Sequence, residues 1–323
     1  MSLKNNILQH LELNADSYIS GQELAEKFGV SRNAVWKTIN QIKNDGYIIE
    51  SVRNKGYCLS AQSDVLSINK IQSLLSENAQ NIKLFVYESL DSTNNEAKRM
   101  ISNGFKDTAL IIANEQTGGR GRLGRSFYSP KNTGIYMSFI IHPQLNIADA
   151  VSVTTAASVA VVKAIENLTD IKPLIKWVND VYIGEKKACG ILTEAVTDFE
   201  TGCAQSVIIG IGINTTTESF PTEIADRAGS VNFGGLTRNE LIAAVANEMT
   251  EICANLSDKS YIKDYRRHSL IIGKEIDFYI NNEKQTASAV DIDDDGGLVV
   301  RLQSGEIKTL HSGEVTVRLA ESN

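Results

Sequence analysis

Cysteine and histidine are both scarce, with four of each in 323 residues. Cys58, Cys189, Cys203 and Cys253 form no C-x-x-C pair, so neither a disulfide framework nor a thiolate metal site is legible, and reduced cytoplasmic thiols are expected. His10, His142, His268 and His311 are as dispersed, which removes a zinc centre from the candidates. Positive charge is lacking too. A formal net charge of −7 excludes a chain that coats nucleic acid along its length, so any DNA contact must come from a local basic face. The longest apolar stretch, Ala148 to Ile165, is interrupted by Asp149, several Ser and Thr, and Lys163, and reads as too polar to span a bilayer. With no secretory signal pattern at the N-terminus, a cytoplasmic protein without a membrane partner is expected. What is present is ordinary for a globular chain: 42% hydrophobic and 22% charged residues, with length for two or three domains.

The first sixty residues organise themselves by helical spacing. Leu3, Ile7, Leu8 and Leu11 mark one helix, and Ser20 with Glu23 forms a capping box that opens a second, which stops at Gly29. Ser31 caps a third, with Ala34, Val35, Ile39 and Ile42 on its apolar side. Two short helices joined by a tight glycine turn predict a helix-turn-helix. The third helix carries Ser31, Arg32, Asn33, Lys37 and Asn40 with no acid before Asp45, an inventory suited to phosphates and adenine edges in a major groove. Trp36 reads as a packing residue rather than an exposed contact. Strand-like runs on either side of Arg53-Asn54-Lys55-Gly56 predict a hairpin wing with a basic tip. Residues 1–62 hold seven Lys/Arg against six Asp/Glu, net +1, so a helical dimerisation unit is the competing reading. A polar linker, Ala61 to Asp64, follows.

From Ser67, helical and strand patterns alternate, and the polar clusters fall at strand ends, as in an α+β sheet domain. Thr93 and Glu96 stand at capping-box spacing before a helix that ends near Gly104. Thr108–Asn114 is a buried-type strand. It leads into Gly118-Gly-Arg-Gly-Arg-Leu-Gly-Arg125, four glycines and three arginines in eight residues. Such a loop is either a mobile surface segment or one that closes over phosphates with amide and guanidinium donors. Gly134–Ile141, Lys172–Trp177 and Val181–Thr197 read as strands, with a turn at Gly184-Glu185-Lys186, and Ala148–Leu168 as a buried helix. Ser206–Asn214 is a strand whose two glycines permit close backbone approach. After residue 270 the texture becomes five short strands with tight turns, the last at Val315–Leu319. The acidic turn at 293–295 lacks further ligands and reads as a solvated hairpin turn.

The motifs DSTNNEAK (91–98), EQTGGRGRLGRSFYSP (115–130), KWVNDVYI (176–183), KKACGILTE (186–194) and IGIGIN (209–214) closely resemble, in order and spacing, those of the biotin protein ligases. The N-terminal segment resembles the bifunctional kind that also represses biotin genes, and the resemblance covers essentially the whole chain. It implies a winged helix-turn-helix over 1–63, a catalytic sheet domain of the biotin/lipoate ligase type over 64–270, and an SH3-like barrel over 271–323. The implied activity is biotinyl-adenylate formation from biotin and ATP, with Mg²⁺ carried by the ATP phosphates. Biotin then passes to one lysine of a biotin carboxyl carrier protein. A mixed anhydride must be kept from water, which suits a loop that closes.

By position, Ser92, Thr93, Asn94 and Gln116 match the family's contacts to the ureido head of biotin. Helix capping is the competing role for Thr93, and a solvated first-turn position the competing role for Asn94. Arg120, Gly121 and Arg122 match the carboxylate and phosphate side, Lys176 the lysine bridging biotin and the α-phosphate, and Gly190 a close approach to biotin. Phe127 stands where the family often has a tryptophan stacked on adenine, and Asn214 and Arg318 match nucleotide contacts. Asp180 is either a group orienting the acceptor lysine or a structural turn aspartate. Val178 replaces the family's usual proline. Operator DNA is the second partner, bound by Arg53 and Lys55 as well as the third helix, with a homodimer expected when the adenylate is present. The rivals are a lipoate-type ligase, which lacks the arginine-rich loop, and a DNA-binding sensor without ligase activity.

Overall fold

The computed structural model describes residues 2–142, 150–197, 204–232, 234–280, 283–311, 313 and 315–317. Ala148, Asp149, Cys203 and Arg318 lie outside them. The chain forms two compact units, Met1–Leu75 with Gly234–Ala243, and Ser76–Phe233 with Ala244–Asn323.

In the first unit, helices α1 (Leu3–Leu13), α2 (Gly21–Phe28) and α3 (Arg32–Asn44) each begin at a serine, Ser2, Ser20 and Ser31. Each serine Oγ accepts the amide three residues on, satisfying a donor the helix leaves open. Gly29, at φ 64°, ends α2 in the left-handed region. Ile7, Leu11, Leu24, Val35, Ile39 and Ile42 form the core. The wing pairs β1 (Ile49–Val52) with β2 (Gly56–Leu59), Val52 opposite Gly56, leaving Arg53-Asn54-Lys55 as the tip. Gly56 has φ 114° and lies against the Ile19 backbone, which leaves no room for a side chain.

The polar linker is held by hydrogen bonds. Ala61 N donates to Asp16 Oδ1 at 2.9 Å. The Asp64 carboxylate accepts from Arg238 N at 2.6 Å and Arg238 Nε at 2.8 Å, and the Asp64 carbonyl accepts from Nη2 at 2.7 Å. Asn239 completes the clamp, donating to Val65 O and accepting from Ser67 N. These partners become available because a helix opens there, Arg238–Ala254, with Thr237 and Glu240 exchanging the bonds of a capping box. Ser67 then caps α4 (Ile68–Leu74).

The second unit carries β3 (Lys83–Tyr87), α5 (Thr93–Ser102), β4 (Ala109–Ala113), β5 (Gly134–Ile141), α6 (Ala150–Leu168), β6 (Pro173–Lys176), β7 (Asp180–Ile183), β8 (Lys186–Thr197) and β9 (Ala204–Asn214). One sheet runs β3-β4-β5-β9-β8-β7-β6, parallel only between β3 and β4. The turn expected at Gly184-Glu185-Lys186 is present: Gly184 at φ 59° turns β7 back into β8. The peptide between Trp177 and Val178 is cis. Window Val151–Leu168 of α6 has a mean hydropathy of 1.3, enough by length and composition to cross a membrane, contrary to the expectation from its polar interruptions. Burial decides its role: 67% of that window lies inside the protein, as in a core helix.

A five-stranded antiparallel sheet, β10 (Glu275–Ile280), β11 (Glu283–Ile292), β12 (Leu298–Leu302), β13 (Ile307–Leu310) and β14 (Val315–Val317), ends the chain in the order β13-β12-β11-β10-β14, the SH3-like C-terminal element expected. Its acidic turn is held from both sides, Asp295 by Lys259 at 2.5 Å and Asp294 by Arg266 at 2.8 Å. The same turn accepts Trp177 Nε1 on Gly296 O at 2.9 Å, next to Lys176.

Candidate functional site

Two cavities open beside the loop at 118–125. The first, about 740 Å³, is lined by Ser92, Thr93, Asn94, Gln116, Arg120, Gly121 and Gly190. The second, about 1400 Å³, is lined by Lys176, Tyr128, Phe220, Arg227 and Asn214. Arg122, Phe127, Asn179, Asp180 and Lys187 line both, so cations stand where the two meet. A chamber for a small polar head joined through guanidinium and ammonium groups to a larger chamber suits two substrates that react at an anionic centre.

The loop is anchored at its root: Gly118 N donates to Asp91 O at 2.8 Å and Thr117 N to Leu90 O at 2.9 Å. Asp91 is itself held by Arg99 and Asn95, whose hydrogen bonds keep its carboxyl well below the usual carboxylate range. The loop's glycines serve different ends. A Cβ on Gly119 would lie 2.5 Å from Phe127 O and 2.7 Å from Ser129 Oγ, so that residue is needed for packing. Gly124, at φ 76°, is needed for conformation. Arg122 reaches Asn179 Oδ1 at 3.1 Å, and Leu123 stands 76% exposed at the tip.

Several expectations change on contact with the geometry. Thr93 is not the cap of α5: Ser92 holds that position, and Thr93 N and Oγ1 both point to Gln116 Oε1, at 2.8 and 3.2 Å. Asn94 is buried rather than solvated, and its amide is bound to protein on both sides, to Leu192 O, Glu194 and Ser138. The strand glycines admit side chains of the protein itself. A Cβ on Gly212 would lie 2.6 Å from the Phe127 ring, and one on Gly210 would collide with the Asn94 amide. At Gly190 the near neighbours are the Lys187 stem, at 3.1 Å, and Phe127.

Lys176 lines only the second cavity, 5.8 Å from the Tyr182 ring centroid. Lys187 lines both cavities, and its ammonium stands 2.6 Å from Asp180 Oδ1 as a charge pair outside hydrogen-bond geometry. Lys187 escapes a sequence reading because Lys186-Lys187 at a turn looks like a solvated pair. Strand alternation is the signal that separates them, turning Lys186 to solvent and Lys187 inward. Asn214 lines the second cavity and donates to Gly229 O at 3.0 Å, while its buried Oδ1 has no partner among the described residues. The Arg318 expectation falls outside the described residues.

Residues 86–214 match the Biotin/lipoate A/B protein ligase family, residues 4–58 an HTH domain, and residues 271–318 the Biotin protein ligase C terminal domain. The bifunctional ligase/repressor BirA of Bacillus spizizenii is 32% identical, over 97% of this chain and 98% of its own length. The chain belongs to the bifunctional ligase/repressor BirA family. The Escherichia coli member is 27% identical over 94% of each chain. Among solved structures, the biotin protein ligase of Aquifex aeolicus in complex with biotin and ATP superposes with a TM-score of 0.62 at 30% identity, covering 73% of this chain and 98% of its own.

The first unit presents a polar face. Ser31, Arg32, Asn33 and Lys37 of α3 are exposed and Asn40 half-buried, as Arg53 and Lys55 are exposed at the wing tip. Trp36 lies among them at 53% exposure, so it does not pack as the sequence suggested. The opposite side of α3 holds Val35, Ile39 and Ile42 in the core, and the helical period leaves Trp36 on the solvent side.

Proposed function

We propose that this chain makes biotinyl-adenylate from biotin and ATP, transfers biotin to a lysine of a biotin carboxyl carrier protein, and represses biotin genes through its N-terminal unit. The observation that carries the reading is the meeting of the two cavities at Arg122, Asp180 and Lys187. Ser92, Thr93, Gln116 and Gly190 surround the biotin head, and Arg120, Gly121 and Arg122 hold its carboxylate against the α-phosphate. The carboxylate attacks the α-phosphorus, pyrophosphate leaves, and Lys187 with Arg122 offsets the charge on the pentacoordinate centre. Lys176 meets the nucleotide phosphates, Phe127 the adenine face, Asn214 Oδ1 an adenine N–H, and Arg318 completes the nucleotide side. Asp180 orients Lys187 and then the incoming acceptor lysine. Mg²⁺ arrives on the ATP phosphates, where it supplies charge neutralisation. Biotin-dependent ATP–pyrophosphate exchange, run beside lipoate, tests the reading. Exchange with lipoate alone would favour the lipoate ligase, and no exchange the DNA-binding sensor.

The functional divisions are 1–63 for DNA, 64–270 for chemistry and 271–323 for a covering domain, in a cytoplasmic protein. Ordering of the 118–125 loop around the adenylate completes a pairing surface with Leu123 at its tip, so that the dimer reads two operator half-sites. A preference of about 2–4 kcal/mol for the liganded dimer suffices to switch occupancy. Sedimentation with and without biotin and ATP measures it, and a dimer of equal strength in both conditions rejects the coupling.

A further inference from the structure

Of the three arginines in the 118–125 loop, Arg120 and Arg125 are exposed and Arg122 is half-buried. The loop fixes the backbone of Arg122 by closing on itself, with Gly121 N donating to Arg125 O at 2.7 Å and Arg125 N to Arg122 O at 3.1 Å. Its guanidinium is fixed from elsewhere: Nη1 donates to Asn179 Oδ1 at 3.1 Å, across 57 positions of sequence. Asn179 is itself buried and clasped by one residue of β8. Ile191 N donates to the Asn179 carbonyl at 3.0 Å, and Asn179 Nδ2 donates to Ile191 O at 2.8 Å. A backbone carbonyl only accepts, so the amide nitrogen must face Ile191, and the amide oxygen is left for Arg122. Turned over, the amide would set its oxygen against the Ile191 carbonyl and its N–H against the guanidinium, a mismatch at both ends.

This seat is neutral, although a carboxylate follows it in the chain. Asp180 stands 2.6 Å from the Lys187 ammonium instead. A carboxylate under Arg122 would hold it more tightly but would also cancel its charge. An amide oxygen still makes a charge-assisted bond and leaves the charge to act on an entering anion. Arg122, Arg125 and Lys187 stand against Asp180 among the residues that line both cavities, so positive charge is in excess where the cavities meet. We propose that Asn179 is a positioning residue that seats the Arg122 guanidinium at this junction before substrates arrive, on a neutral oxygen that keeps its charge available to an anion. The proposal rests on the ligation reading above for the identity of that anion.

The test runs on the full chain with two readouts. In the substrate-free chain, trypsin cleavage after Arg122 reports how often that side chain leaves its seat, with cleavage after the exposed Arg120 as the reference. Asn179→Ala removes the acceptor and should raise that ratio roughly tenfold. Biotin-dependent ATP–pyrophosphate exchange then measures the consequence in Asn179→Ala, Arg122→Met and the double variant. Each single change should slow exchange roughly ten- to a hundredfold, and the double should stay within about threefold of Arg122→Met. A merely structural loss, or a contact from Asn179 straight to substrate, would add to the Arg122 loss instead. An unchanged cleavage ratio, wild-type exchange in Asn179→Ala, or additive losses in the double variant overturns the seat. If Asn179→Ala does not fold, Asn179→Asp takes its place. It retains Arg122 as an ion pair, so the ratio should not rise while exchange still slows roughly tenfold, and a raised ratio or wild-type exchange overturns the proposal. A wild-type chain without exchange whose cleavage ratio responds as expected rejects the ligation reading and leaves the seat standing.

Discussion

The exposed polar face of the first unit and the cavities of the second are both built from polar side chains, yet they are held in opposite ways. On α3 and the wing, Arg32, Lys37, Arg53 and Lys55 stand in solvent on short elements whose cores lie behind them. Around the cavities, Thr93, Asn94, Gln116 and Asn179 are fixed by one another and by strand carbonyls. An extended polyanion tolerates side chains that settle on arrival, because phosphate attraction is long-ranged and forgiving. A reacting anhydride does not, since misplacement by about 1 Å costs much of the rate.

The largest effect that would sharpen this contrast is expected at the junction of the cavities. Lys187→Met removes the one ammonium that lines both and should raise the adenylation barrier by roughly 2–4 kcal/mol, with operator binding by the apo chain unchanged. Lys176→Met, in the second cavity alone, should cost less and act mainly through ATP. Single-turnover adenylation ranks the two, and a larger loss in Lys176→Met would return the bridging role to that residue.

Next in size is the loop root. Gly119→Ala sets a methyl against the Phe127 carbonyl, which is backbone and cannot swing away. A cost of about 1–3 kcal/mol is expected, seen as faster escape of the adenylate. A wild-type off-rate would mean that closure does not need this contact.

On the other side of the comparison, Arg32→Ala should weaken operator binding by roughly 1–3 kcal/mol if the guanidinium reads a base. If it meets a phosphate, the slope of affinity against salt should fall by about one instead. Ligation should be untouched in either case. A loss of ligation would show that the two activities are not carried by separate surfaces.

The smallest effect concerns the clamp. Arg238 is 3% exposed but its partner Asp64 is 38% exposed, so solvent screens the pair. Asp64→Ala should cost about 1–2 kcal/mol of stability, below the loss typical of a fully buried pair. Thermal melting checks this, and an unchanged midpoint would mean that water replaces the carboxylate.

These expectations divide along what a linear sequence can reveal. Helix starts at Ser20 and Ser31 were legible, since a cap and its target are three residues apart. The glycine-arginine loop was legible as a phosphate-type element because its composition has few other uses. The partners of Asp64 were not, as 174 positions separate it from Arg238. Gly210 and Gly212 announced a close approach but not of what. Only the fold shows that the visitors are Asn94 and Phe127. Lys187 went unread and Trp36 was misjudged for one reason: which side of a strand or helix is dry depends on elements elsewhere in the chain.

The hydrogen bond from Trp177 to Gly296 also has a bearing on synthesis at the ribosome. Both units are discontinuous in the chain, and each is closed by residues made late, Arg238 for the first and Gly296 for the second. A nascent chain can form α1 to α3 and most of the seven-stranded sheet early, because those contacts precede residue 215. The indole N–H beside Lys176, however, waits 119 residues for its carbonyl. Until then the segment that carries Lys176 has a polar group to keep wet and cannot be sealed. A chain released before its final fifty residues would thus hold every motif of the catalytic domain and still lack the carbonyl to which Trp177 donates.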